Sequence, residues 1–179
     1  GDGCMQEGIA SEASSLAGTQ ELGNLTMFYD DNRITIEGDT AIAFSENVEA
    51  RYEAYGWHVQ HVDFTNGGTT YEENVEALME AIANAKTVTD KPSFIRLTTV
   101  IGWPIPKLAG LAQVHGAKIG AEGVSALKKK LGFEDKPFAI DLEMVQQVRA
   151  AFAERGKGLR EVWDEKFAAW HDANPDGAA

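Results

Sequence analysis

The sequence is poor in cysteine, in basic charge and in long apolar runs, and each shortage removes a class of protein. Cys4 is the only cysteine, so no disulfide forms within the chain, and a reducing cytoplasm is the expected setting. Cys4 itself reads as a small packing residue beside a tight turn. No apolar run approaches the roughly 20 residues that span a bilayer, and no signal peptide precedes the first motif. Sixteen lysines and arginines stand against 28 aspartates and glutamates, a net charge of −12. Such a surface repels phosphate backbones and anionic lipids, which argues against nucleic-acid and membrane partners. Any phosphorylated ligand needs local exceptions to that field. The first residue is Gly rather than Met, and a longer parent chain is expected.

What is present suits a folded domain with a substantial core: 179 residues, 44% hydrophobic and 25% charged. Met5, Ile9, Ala13, Leu16 and Ala17 recur at helical spacing and predict a helix near 5–19 with one buried face. Leu25 to Tyr29 (LTMFY), Trp57 to Val62 (WHVQHV) and Ser93 to Thr99 (SFIRLTT) read as strands. Asn47 to Tyr55 reads as a helix between the first two. After the turn at Asn66-Gly67-Gly68, Tyr71 to Lys86 reads as an amphipathic helix on Val75, Leu78, Met79 and Ile82. Pro104 and Pro106 predict a long loop over 102–118. Ser125 to Leu131 follows as a short helix. Asp141 caps a longer helical region through about Trp170, with Gly156 and Gly158 as interruptions, and Asn174-Pro175-Asp176-Gly177 reads as a linker or terminus. This alternation predicts an α/β fold, a parallel sheet flanked by helices. Ligands in such folds gather at the carboxyl ends of strands. Asp31-Asn32 and the loop after Thr99 both fall there.

Two short patterns carry the chemistry: Gly1-Asp2-Gly3 and Asp31-Asn32-Arg33-Ile34. Either alone is an ordinary turn. The stretch that contains both, GDGCMQEGIASEASSLAGTQELGNLTMFYDDNRITIEG, resembles the thiamine diphosphate and magnesium segment of transketolases. The match is densest in EGIASEASSLAG and FYDDNRITIEG. Magnesium takes octahedral oxygen ligands and commonly bridges protein and phosphate. The Asp2 carboxylate, the Asn32 side-chain carbonyl and the Ile34 backbone carbonyl could supply three, with two diphosphate oxygens and a water completing the set. Gly1 and Gly3 allow a tight turn, and Gly3 lets its N–H approach the diphosphate. A helix starting near Met5 would add its positive end.

Residue by residue, the resemblance implies metal ligation by Asp2, Asn32 and Ile34, and diphosphate contact by Gly3 and Asn32. Glu7 and Glu12 match acidic residues that join a network between the two active sites of a dimer, with Glu7 also near the cofactor. On one continuous helix these two would stand about 140° apart. Thr98 to Gly102, with the loop ending Val114-His115-Gly116-Ala117, resembles the segment whose histidine reaches both diphosphate and substrate. His115 is therefore the candidate for diphosphate contact, substrate contact and proton handling, roles suited to an imidazole. Ile36 and Ile101 match apolar residues that line the thiamine. The intervening WPIPKLAGLAQV departs from the family's glycine- and serine-rich loop, and His61 to Tyr71 is a few residues longer than in many relatives, as a surface insertion would be. His58, His61 and His171 read as structural or solvated.

The resemblance covers residues 1–175, with 176–179 as linker or terminus. It implies part of the diphosphate-binding domain of a thiamine diphosphate fold, truncated at its N-terminal side. The whole enzyme would transfer a two-carbon ketol unit from a ketose phosphate to an aldose phosphate, as in the pentose phosphate pathway. It would use thiamine diphosphate and Mg2+, with Ca2+ or Mn2+ able to substitute. It would be a cytoplasmic homodimer with the cofactor at the subunit interface. These residues alone are expected to be inactive, with Asp2 on a frayed terminus, an unpaired sheet edge and weak magnesium binding. Alternatives are a formaldehyde-using transketolase, another thiamine diphosphate enzyme of the same fold, a non-catalytic subunit of a split transketolase, and a binding module without cofactor.

Overall fold

In the computed structural model of the chain, residues 1–116 and 118–178 are described. Ala117, the last residue of the His115 motif, lies outside them. The chain divides into two units, Gly1–Gly132 and Phe133–Ala179.

The first unit is built on a three-stranded parallel sheet in the order β1-β3-β2: β1 is Thr26–Asp31, β2 His58–Asp63 and β3 Ser93–Thr98. The expected α/β fold and its three strands are thus present. In register, Tyr29 and His61 both sit opposite Arg96, and Asp31 and Asp63 both sit opposite Thr98. The central strand carries the core. Phe94 and Ile95, both 0% exposed, point to opposite faces as strand alternation requires. Phe94 packs with Met5, Ala17, Tyr29, Val48, Tyr52 and Trp57. Ile95 packs with Val62, Phe64, Ala81 and Ala85. Helices α1 (Asp2–Gln6), α2 (Gly8–Thr19) and α3 (Val48–Ala54) supply the Phe94 side, and α4 (Val75–Thr87) supplies the other.

Several boundaries differ from expectation. The single helix over 5–19 is two: it starts at Asp2 and breaks at Glu7, whose ψ of 136° is extended before α2 begins. The break resets the helical phase, so the periodicity counted from Met5 does not carry through. Ser14 and Ala17 are buried, while Ile9, Ala13 and Leu16, expected on the core face, are exposed. Gly1-Asp2-Gly3 is accordingly not a free turn: Gly1 is the N-cap and Asp2 and Gly3 open α1. Gly18 lets α2 pack closely, since a Cβ there would lie 1.8 Å from the Tyr55 carbonyl oxygen. Helix α4 begins at Val75 behind an Asn74 cap that accepts from Ala77 N–H at 2.9 Å, and Val75 and Met79 are exposed.

Residues 100–116 form a chain of tight turns ending in a 3-10 turn, Ala112–His115, and α5 (Gly120–Lys130) follows. In the second unit, Asp141 caps α6 (Leu142–Ala173) by accepting from Met144 N–H at 3.0 Å. Gly156 and Gly158 do not interrupt it. Each costs about 1 kcal/mol relative to alanine, and the helix formers on both sides carry the helix through. Pro175–Ala178, where a linker is expected, makes one short helical turn, α7. Among the described residues no helix is long and apolar enough to cross a membrane.

Candidate functional site

The carboxyl end of β1 and the start of α1 meet through buried side chains. Tyr29 and Asp31 are two residues apart on one face of the strand, and each is 3% exposed. Asp2 is 2% exposed. It does not fray: Asp2 Oδ1 accepts from the Tyr29 hydroxyl at 2.8 Å and Oδ2 from the Asn32 backbone N–H at 3.3 Å. Residues expected to act together, Asp2 and Asn32, are therefore hydrogen-bonded neighbours. Burial raises the Asp2 carboxyl above its ordinary range; the hydrogen bonds from Tyr29 and Asn32 oppose this and the nearby Asp31 charge adds to it. Burial, then its bond to Asp2, pushes the Tyr29 phenol far up, so it remains a donor.

Asn32 turns its side-chain oxygen onto the Ile34 N–H at 3.1 Å, closing an Asx turn. Arg33 inside that turn has φ 60°, a left-handed conformation uncommon for a long side chain. The turn is fixed from the far side by Arg33 C=O, which accepts from Thr40 N–H at 2.9 Å. The Ile34 carbonyl oxygen accepts no hydrogen bond among the described residues. Asp2 is thus bonded to Asn32 and Asn32 to Ile34, a chain of contacts linking residues with oxygen donors of three kinds.

Arg96 on β3 settles the charge of the neighbouring carboxylate. Its Nε and Nη2 both lie 2.6 Å from Asp31 Oδ2, and its Nη1 lies 3.3 Å from Glu49 Oε2 on α3. His61 continues the chain, with Nδ1 3.9 Å from Glu49 Oε1 and Nε2 2.8 Å from Thr98 Oγ1. The Asp2 carboxylate has only neutral partners among the described residues. A buried carboxylate without a counter-charge is costly. Arg96 is shared by Asp31 and Glu49 and leaves Asp2 without a cationic partner, and a hard cation on oxygen donors fits that deficit.

Two cavities flank this wall. One of ≈ 530 Å³ is lined by Asp2, Tyr29, Asp31 and Arg96 with residues 39–49; the other, ≈ 590 Å³, runs from Asn32 past Asp63 to Thr98, Thr99 and Val100. Asp31, Arg33 and Arg96 line both. A Cβ built at Gly3 meets nothing within 4 Å, so no packing in this chain requires glycine there.

The other predicted residues lie apart from the buried cluster. Glu7 is exposed at the α1–α2 break and Glu12 is exposed on α2, so the 140° separation expected of a continuous helix does not apply. Ile36 is 72% exposed and Ile101 is half-buried at the start of the turns. His115 is exposed and lines neither cavity. Its Nδ1 lies 3.1 Å from the Ala112 carbonyl, which can only accept, so Nδ1 donates there, and Nε2 has no hydrogen-bond partner among the described residues. Tyr29, Arg96, Glu49 and the linking role of His61 were missed by sequence reasoning. Alternation along TMFYDD, extended two residues past Tyr29, would have put Tyr29 and Asp31 on one face.

A buried carboxylate with only neutral partners, at the carboxyl edge of a parallel sheet, marks the ligand-binding edge of an α/β domain. A family model described as the transketolase thiamine diphosphate binding domain matches residues 1–179. A transketolase of Mycobacterium leprae is 50% identical over 179 residues, 99% of this chain and 24% of that protein. The chloroplastic transketolase of Spinacia oleracea is 46% identical over 178 residues, 99% of this chain and 23% of that one. Among solved structures, Pichia stipitis transketolase in complex with sedoheptulose-7-phosphate superposes with a TM-score of 0.87 at 42% identity, covering 99% of this chain and 25% of that one. The chain belongs to the transketolase family, through its thiamine diphosphate-binding domain. It spans about a quarter of the length of these relatives.

Proposed function

We propose that this chain is the metal- and diphosphate-anchoring part of a transketolase that moves a two-carbon ketol unit from a ketose phosphate to an aldose phosphate. The observation that carries this reading is buried Asp2, bonded to Asn32 and without a cationic partner among the described residues, in a thiamine diphosphate-binding domain. Asp2, Asn32 and the Ile34 carbonyl would hold the divalent ion, Mg2+ foremost with Ca2+ or Mn2+ as substitutes. Gly3 and Asn32 would contact the diphosphate, and Ile36 and Ile101 the thiamine. When bound, thiamine diphosphate supplies a nucleophilic carbon and an electron sink for cleavage beside a ketone. This chain's own contribution is positioning and charge: a pre-bonded cation site, and a histidine whose free Nε2 can hold or pass a proton to substrate.

The neighbour bound to a sugar phosphate supports sugar-phosphate substrates. Exposed Glu7 and Glu12, with Ile9 and Leu16 exposed beside them, support a homodimer whose partner covers this face. A lone cysteine supports a reducing aqueous compartment, the cytoplasm in our reading, although relatives include chloroplastic forms. These residues alone are proposed not to turn over.

The test is a calorimetric titration of Mg2+ into the whole protein with thiamine diphosphate present. Wild type should take up the pair, and Asp2→Asn should weaken metal uptake by about two orders of magnitude. Undiminished uptake by Asp2→Asn would overturn the reading.

A further inference from the structure

Two carboxylates, Asp2 and Asp31, stand on either side of one phenol, and only one has a cation. The Tyr29 hydroxyl lies 2.8 Å from Asp2 Oδ1 and 3.4 Å from Asp31 Oδ1. It has one proton, and the shorter distance assigns it to Asp2. Donation there occupies a lone pair of Oδ1, and with the Asn32 N–H on Oδ2 it fixes the carboxylate plane. Arg96, meanwhile, places two nitrogens on Asp31 Oδ2 at 2.6 Å and lines the same cavity as Asp2. Arg33 lines that cavity too, but Arg96 is the cation whose side chain is bonded into the Tyr29–Asp31 cluster beside the uncompensated carboxylate. Were it free of Asp31, it would neutralise Asp2 and take the place of a metal.

We propose that Tyr29 and Asp31 are positioning residues for the metal–cofactor site: Tyr29 orients Asp2 toward the metal, and Asp31 holds Arg96 away from it. The inference rests on the metal-anchoring reading above and assigns its selectivity to residues outside the ligand set. It treats the Asp31–Arg96 ion pair as a means of keeping one site empty of protein charge. Buried pairs of this kind contribute little net stability, because desolvation offsets attraction. Its chemical use then lies in what Arg96 is prevented from doing.

The experiment measures Mg2+ affinity of the whole protein at saturating thiamine diphosphate, by calorimetry, with folding checked by circular dichroism and thermal melting. Tyr29→Phe keeps the ring that packs on Phe94 and removes only the hydroxyl. It should raise the Mg2+ Kd by roughly 10-fold, as loss of an outer partner of a ligand does. Asp31→Asn should raise it by about 10- to 100-fold, and Asp31→Asn with Arg96→Met should recover most of that loss. Loss and recovery of Mg2+ affinity that exceed any change in melting temperature are the readout that a purely structural role would not produce. A double variant as weak as Asp31→Asn, or Tyr29→Phe binding like wild type, would overturn the inference while leaving wild-type uptake, and the functional reading, intact. Wild type taking up no metal with the cofactor would overturn both. Should Asp31→Asn fail to fold, Tyr29→Phe decides alone.

Discussion

Two stretches of the first unit are expected to meet one diphosphate, and they are built in opposite ways. The Asp2–Asn32 stretch is bonded side chain to side chain into the sheet, with Asp2, Tyr29 and Asp31 all buried. The 100–116 stretch is bonded mainly to itself, through turns such as Gly110 N–H to Ile101 C=O at 2.8 Å and Ile105 N–H to Gly102 C=O at 2.8 Å. Its histidine is exposed and holds on to its own turn. A site anchored in a core opens only when the core opens, whereas self-bonded surface turns open locally at less cost. The end proposed to hold the metal is thus pre-formed by packing. The histidine end is free to be completed by a ligand or by residues from elsewhere.

The largest effect should come from removing the core beneath the buried half. Phe94 is 0% exposed and lies 4.0 Å, centroid to centroid, from Tyr52 and 6.1 Å from Tyr29. Phe94→Ala should cost about 3–5 kcal/mol of stability in denaturant unfolding. It should also weaken metal uptake, because Tyr29 loses the ring it leans on. A loss below about 1 kcal/mol would show that packing does not hold this half. The matching blow to the other half is smaller. Gly102 has φ 68°, and a Cβ there would lie 2.7 Å from Val114 Cγ2, one residue from His115. Gly102→Ala should cost about 1–2 kcal/mol and speed amide exchange over 100–116. Metal affinity should stay put. If it falls as far as in Phe94→Ala, the two halves are not independent.

The contrast also explains what the sequence disclosed. Strands were legible because LTMFY, WHVQHV and SFIRLTT are β-rich runs between turn signals, and the helices expected from Asn47 and Asp141 do start behind those residues, which cap them. The neighbourhood of Asp2 and Asn32 was legible because the two short patterns that hold them stand at recognisable positions, and the two residues are hydrogen-bonded. What stayed hidden was set by tertiary contact. Glu7 breaks a helix that periodicity runs straight through, and Arg96 gives no local sign that it will pair with Asp31, 65 positions away. Tyr29 read as one more apolar strand residue. Its role arises because α1 brings Asp2 to its hydroxyl, a contact that no window of sequence contains.

The smallest predicted effect tests the place between the two halves. Asp63, at the end of β2, lines the cavity that reaches from Asn32 to Val100. Its Oδ1 accepts from Thr65 N–H and Oγ1, both at 2.7 Å, and its Oδ2 from Gly67 N–H at 2.8 Å. Burial alone would raise its carboxyl, but the Thr65 and Gly67 bonds, helped by His61, outweigh it and hold the group below its ordinary 3.8. A carboxyl depressed by folding stabilises fully above its unfolded value and loses that contribution as pH falls through the folded value. Asp63→Asn should therefore cost about 0.5–1 kcal/mol at pH 7, within the range for a lost cap of this kind on a solvent-facing loop. The difference from wild type should hold steady down to about pH 5 and then shrink below about pH 4. Melting curves across that range decide it. A gap that widens in acid would mean that the 64–70 loop, and with it one wall of the cavity, is held by something other than the ionised carboxylate.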